Sequence, residues 1–313
     1  QRFSKEYMQW LDDLILQLAY LCTPRLNMNV ARFLRDCLRL MDQGFVLGLI
    51  VNYVITLDNT YRDMSCVASK FLALELLMDY EHIVPLNTPS ICPSWTSNDT
   101  PNVSSLIRDF WVEHTLVGLV INEVRHCLQA QDAQIRACAS YSLFNIMWRL
   151  ERDPRYSGIH ALEAIANMFF PYVLVLMEFW ESQNNEMNQD ERTNWMICLL
   201  FVLRHCSKKE LLRRWWSNDT QVGCITFLDL LNDLVRVFSA PALSLETSWV
   251  VLTILDDFMG DMEHNMQKED SVYLRGSLKV CDVYACDMCM CVMCVICAMY
   301  AQIQIQLMYV YAR

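Results

Sequence analysis

Apolar residues recur along this chain at helical spacing. Within Asp132 to Tyr156, Ile135, Ala139, Leu143, Ile146 and Leu150 stand four, four, three and four residues apart, so they share one stripe of a helix about five turns long. That stripe has to be buried. Ala137, Ala139, Ser140 and Ser142 are small enough to let a neighbouring helix approach closely. Arg136, Arg149 and Arg152 are expected on wet faces or near the C-terminal end, where cations oppose the helix dipole. The stretch reads as the inner helix of a helical hairpin.

The same periodicity predicts the rest of the chain. A first helix starts after Ser4, a suitable N-cap, carries Leu11, Leu14, Ile15, Leu18 and Cys22 on one face, and stops at Pro24. Helices follow at about Met28 to Met41, Phe45 to Leu57 and Arg62 to Tyr80. Phe45 to Leu57 is well short of the roughly 20 residues a bilayer span needs, so it is a buried helix. Pro85, Pro89, Pro93 and Pro101 predict a long surface loop over about residues 85–104. Leu106 to Gln129 then forms the other arm of the hairpin with Asp132 to Tyr156. Pro171 should kink or split the apolar helix Ile159 to Trp180. Glu181 to Arg192 reads as a loop, Trp195 to Cys206 as a helix, and Ser207 with Glu210 as a capping box opening a short basic helix, Lys208 to Trp216. Gln221 to Phe238 and Leu245 to Met262 complete about eleven helices.

The expected fold class is all-α. Asp132, Ile135, Arg136, Ala139, Ser142 and Leu143 fit the loose pattern of a HEAT or armadillo second helix, so the hairpins are expected to stack into an irregular armadillo/HEAT-like solenoid. No period is clean enough to name a repeat from spacing alone. Composition agrees: 54% hydrophobic against 19% charged excludes disorder as the main state, and 7 glycines and 8 prolines among 313 residues favour long helices. A net charge of -11 argues against a broad nucleic-acid-binding surface. The start at Gln1 without an apolar leader suggests a piece of a longer protein. Scattered cysteines on apolar faces suit a reducing compartment, and the sequons at Asn98, Asn102 and Asn218 read as chance matches.

Candidate chemistry is sparse. Glu123 and His126 have the i, i+3 spacing of helix-borne di-iron ligands, but no second pair accompanies them, and a solvated or capped histidine is the better expectation. Asp256, Asp257, Asp261, Glu263 and His264 lack the glycine and alternating ligands of a calcium loop. Lys208, Lys209, Arg213 and Arg214 beside Trp215 and Trp216 suit phosphate or a membrane surface, although a helix with buried tryptophans and a wet basic face explains them better. There is no phosphate loop, nucleophile elbow or catalytic triad. No catalytic, cofactor-binding or metal-binding residue is assigned, and no cofactor is expected.

From Val280 to Arg313 the composition changes abruptly. Cys281, Cys286, Cys289, Cys291, Cys294 and Cys297 crowd this tail, and no helical stripe runs through it. A soft-metal site lacks a paired knuckle or a histidine. A membrane anchor has the length from Met288 to Ala312 but carries Gln302, Gln304 and Gln306. The preferred alternative is translated intron: Lys279-Val280-Cys281 can be encoded as AAG-GTA-TGT, a splice-donor sequence. Residues 280–313 are therefore expected to lie outside a fold spanning 1–279.

Five stretches together resemble the DOCK (dedicator of cytokinesis) family of guanine-nucleotide exchange factors: VARFLRDCLRLMDQGFV from Val30, YEHIVPLNTP from Tyr80, RDFWVEHTLVGLVINEV from Arg108, DPRY from Asp153 with FFP from Phe169, and WMICLLFVLRHCSKKELLRRWW from Trp195. They lie in the family's order and are closer to the zizimin-like and related subfamilies than to the founding one. The resemblance implies an armadillo-like scaffold between the lipid-binding and catalytic regions of a cytoplasmic protein that is recruited to the plasma membrane and activates Rho-type GTPases, Rac or a near relative. Both of those regions would lie outside this chain. It would then be non-catalytic, meet the GTPase and the membrane only through them, and offer helix faces to protein partners or to a homodimer. The alternative is a helical-repeat interaction protein anchored to a membrane by its C-terminal tail.

Overall fold

Ser4 opens the first helix as its sequence predicts, its hydroxyl accepting from the Tyr7 amide at 3.2 Å. The computed structural model describes residues 3–21, 23–60, 64–87, 114–183, 187–206, 221–237, 251 and 253–254. Among them every regular element is helical: α1 (Lys5–Leu21), α2 (Pro24–Leu40), α3 (Gln43–Thr60), α4 (Met64–Met78), α5 (Ile83–Asn87), α6 (Thr115–Leu128), α7 (Ala133–Arg152), a 3-10 turn (Pro154–Tyr156), α8 (Ile159–Phe169), α9 (Pro171–Gln183), α10 (Gln189–His205) and α11 (Gln221–Val237).

The helices sort into two packed rows. One holds α2, α4, α7 and α10 in succession; the other holds α1, α3, α6, α9 and α11. Helix α8 packs on α10 beside them, and α5 packs on α8. Three hydrogen bonds join α2 to α4 and the residues just after it, each between residues 42 apart: Asn27 with Ser69, Tyr80 with Leu38, Arg39 with Glu81. Between α7 and α10 the separation is 54 or 55, through Arg136 with Glu191, Asn194 with Ser140 and His205 with Glu151. A constant offset means that row neighbours run parallel, each returned to its start by a helix of the other row. That is the logic of a helical-repeat solenoid, in which each unit buries its apolar face only on its neighbours.

The core lies between the rows. On α7, Ala139, Leu143, Ile146 and Leu150 are buried and Ile135 half-buried, the stripe read from the sequence. Pro171 splits the apolar run as expected, into α8 and α9 at a bend of 43°. No single helix among the described residues is long and apolar enough to cross a membrane.

Several expectations need correction. Pro24 does not separate helices by several residues; it is the first residue of α2, where a missing N–H costs nothing. Pro85 lies inside α5, again within the first turn, where no intrahelical acceptor is lost. Most of the described residues of the expected loop Glu181 to Arg192 are helical. Asn188 caps α10 by accepting from the Glu191 amide at 2.8 Å, seven residues before the apolar pattern starts at Trp195. Most of the 85–104 loop, the start of Leu106 to Gln129, the basic helix Lys208 to Trp216, nearly all of Leu245 to Met262, the acidic group from Asp256 to His264, the three sequons and the tail lie outside the described residues.

Candidate interaction face

The parallel row is clamped by ion pairs at each of its joints. Between α2 and α4, Arg35 meets Asp79 at 3.5 Å and Arg39 meets Glu81 at 3.0 Å. Between α4 and α7, Glu75 meets Arg149 at 3.3 Å. Between α7 and α10, Arg136 meets Glu191 at 3.1 Å, both side chains almost wholly buried. Arg136 also donates to the carbonyls of Ala130 and Gln131 at 2.8 and 3.0 Å. It is therefore not on a wet face, because α10 covers it and supplies its counter-charge.

Glu123 and His126, the pair with di-iron spacing, separate. Glu123 is buried and joined to Lys70 of α4 across the two rows, whereas His126 is exposed. Among the described residues no group of three or more metal-ligating side chains comes together. Cys37, Cys66, Cys127, Cys198 and Cys206 are buried thiols, none of them in a disulfide among the described residues. Burial pushes the Cys198 thiol far above its ordinary value and Cys37 upward, which makes both poor nucleophiles at neutral pH.

At the C-terminal ends of α4 and α7 the chain makes a small groove bordered by Glu75, Asp79, Arg149, Asp153 and Arg155. Asp153 accepts from the Arg155 amide and guanidinium at 2.9 Å. That guanidinium contact is the main reason its carboxyl is held below the usual range. Tyr156 donates to the Glu81 carbonyl at 3.1 Å, and burial raises its phenol. Charges of both signs alternate here and are already paired, which suits recognition of polar side chains rather than bond making.

The outward face of the row is apolar. Leu72 of α4 and Tyr141 and Trp148 of α7 are exposed, with Leu76, Phe144, Ile197 and Leu200 half-buried around them. The Arg152 guanidinium lies 3.5 Å from the Trp148 ring centre, a cation stacked on the indole face. Tyr141, Phe144 and Trp148 share one stripe of α7, and Leu72 and Leu76 one stripe of α4. The sequence carried this signal as a second stripe, Tyr141, Phe144 and Trp148, opposite the buried one.

Comparison with known proteins fits this architecture. The family described as "DOCK6-11, TPR domain" matches residues 3–77, which hold α1 to α4 but for the last residue of α4. Human dedicator of cytokinesis protein 8 is 23% identical over 293 residues, 68% of this chain and 14% of that protein. Mouse dedicator of cytokinesis protein 9 is 29% identical over 164 residues, 49% of this chain and 7% of that protein. Zebrafish (Danio rerio) dedicator of cytokinesis protein 11 is 28% identical over 213 residues, 59% of this chain and 10% of that protein. Over these stretches the chain is similar to the DOCK proteins. It spans about a seventh or less of the DOCK sequences it matches, and no solved structure matches it.

Three of the DOCK-like stretches meet in space. Tyr80 donates to the Leu38 carbonyl at 3.4 Å, Arg39 pairs with Glu81, and Tyr156 reaches Glu81. VARFLRDCLRL, YEHIV and DPRY thus build one end of the parallel row, beside the charged groove.

Proposed function

We propose that this chain is the helical scaffold segment of a DOCK-type guanine-nucleotide exchange factor for Rho-type GTPases. In this reading residues 1–279 form a rod that holds a lipid-binding region and a catalytic region at a fixed separation. It acts in the cytoplasm, reaches the plasma membrane through the lipid-binding region, and meets protein partners on its helix faces. It has no exchange activity of its own. The observation that supports a spacer role is the parallel register of α2, α4, α7 and α10, with a charge pair at each joint: bending between α7 and α10 would have to break a buried pair, while pairs with one exposed partner span the other two joints.

The test is nucleotide release from Rho-family GTPases with the isolated chain, which is expected to leave the spontaneous rate unchanged. A clear acceleration would overturn the proposal. In the full-length protein, lengthening the link between α7 and α8 by a Gly-Ser segment should lower exchange at membranes without altering exchange in solution.

A further inference from the structure

We propose that the outward side of α7 and α10 is a self-association surface, on which a second copy of this chain lays its own α7 and α10 antiparallel to these. Among the described residues the other sides of both helices are covered. On α7, Leu143, Ile146 and Leu150 are buried, with α6 packed on the helix from the second row. Arg149 reaches Glu75 of α4, and Arg136, Ser140 and Glu151 meet α10. On α10, Glu191, Asn194 and His205 face α7, the Trp195 ring stacks on Tyr172 of α9, and α8 packs alongside. At about 100° per residue, one stripe of each helix is left, opposite its buried side.

On α7 that stripe is Ala137, Tyr141, Phe144, Trp148 and Arg152, spaced four, three, four and four apart. On α10 it is Asp190, Thr193, Ile197, Leu200 and Arg204, spaced three, four, three and four. Threes and fours are the spacing on which a further helix packs. Tyr141 and Trp148 are 59% and 40% exposed, and Phe144, Ile197 and Leu200 are half-buried. The centres of each stripe are apolar and their ends are charged.

Register selects the occupant. Residues bonded between α7 and α10 stand 54 or 55 apart, so residue 142 of α7 is level with residue 196 or 197 of α10. Residue 142 is midway between Asp132 and Arg152, and residue 197 midway between Asp190 and Arg204. A two-fold axis lying in the interface and crossing both helices at that level reverses their direction and sets each helix on its own copy. Asp132 then stands level with Arg152 of the second copy and Asp190 with its Arg204, and both pairs occur twice. All four residues are exposed; Arg152 lies on the Trp148 ring, and Arg204 is shared with Glu151 at 3.7 Å. The same axis puts Trp148 beside Ala137, Leu200 beside Thr193 and Tyr141 beside Phe144 of the second copy, so the largest side chains meet small ones. A parallel arrangement would set arginine against arginine. Exposed ion pairs add little energy each and fix direction and register, while the apolar centres supply the association. Two helices side by side over the 20 residues of α7 give a face about 30 Å by about 20 Å, the scale of an interface of about 800 Å² per partner.

The experiment is sedimentation equilibrium of the whole chain at about 20 μM. Wild type is expected to be dimeric. Arg152→Glu with Arg204→Glu sets acid against acid at both ends and should give monomers. Asp132→Asn with Asp190→Lys, which keeps a capping side chain at position 132, should do the same. Both variants should retain the helical circular dichroism of wild type. Mixed in equal amounts they should form a heterodimer, because the acid placed at 204 in one meets the base placed at 190 in the other, and the remaining end keeps its native pairs. A monomeric wild type, charge variants that dimerise as wild type does, or a mixture that stays monomeric would each overturn the proposal. The proposed spacer role stands or falls separately, on nucleotide release.

Discussion

Arg136 of α7 and Glu191 of α10 meet at 3.1 Å with almost no solvent exposure, near the start of both helices, and fix the register between the last two members of the parallel row. Removing one partner leaves a buried charge without its counter-ion, which costs ~3–5 kcal/mol. Arg136→Met and Glu191→Leu should therefore each lower the urea midpoint sharply. The double variant should regain much of the loss, since neither charge remains. Equal and additive losses in the three variants would show that the pair is not coupled.

Asn27 ties three helices together: its amide donates to Ser69 of α4 at 2.7 Å and its carbonyl accepts from Tyr53 of α3 at 2.5 Å. All three residues are buried. Asn27→Leu strands two polar groups and should cost ~2–4 kcal/mol, whereas Tyr53→Phe removes one donor and should cost ~1 kcal/mol. Guanidinium titrations of the two variants give the comparison, and a Tyr53→Phe loss as large as that of Asn27→Leu would contradict it.

The helices were legible where one apolar stripe met one wet face, as on α1 and α7. Polar beginnings hid the rest: α10 opens with Gln189, Asp190 and Glu191, a first turn whose acidic residues favour the positive end of the dipole but show no apolar period. Arg136 looked solvated because its partner sits 55 residues away on another helix, and the partner of Glu123 was equally hidden, 53 residues away on α4. The missing repeat has a plain cause. Neighbours in the row are offset by 42, then 74, then 54 residues, so equivalent positions recur in space without recurring at one interval in sequence. Of the candidate face, Tyr141 and Trp148 were visible as a stripe on α7, but which stripes stay uncovered depends on how the row packs.

Asn87, at the end of α5, caps a helix far along the chain. Its Oδ1 accepts from the amides of Leu116 and Val117 at 3.0 and 3.3 Å, the first turn of α6, while its Nδ2 donates to the Ile83 carbonyl at 2.8 Å. Asn87→Ala should cost ~1–2 kcal/mol, as loss of an N-cap does. Hydrogen exchange should localise the effect, with Leu116 and Val117 losing protection before the middle of α6. Protection lost evenly along α6 would argue against a capping role.

Glu151 of α7 gives the fold an acid-sensitive joint. It meets His205 at 3.5 Å and Arg204 at 3.7 Å, both on α10. The hydrogen bond with His205 is the largest cause of a carboxyl held below its ordinary 4.5, with burial opposing and Arg204 and Arg152 assisting. A carboxyl depressed on folding binds fewer protons in the native state, so its stabilisation is complete above about pH 4.5 and is lost as pH falls through the lower folded value. Asp153, also depressed by Arg155, acts in the same direction. Glu151→Gln should therefore lower stability at pH 6 and flatten its decline between about pH 5 and pH 3. Thermal melts of both proteins across that range provide the measurement, and parallel declines would show that Glu151 makes no part of the acid limb.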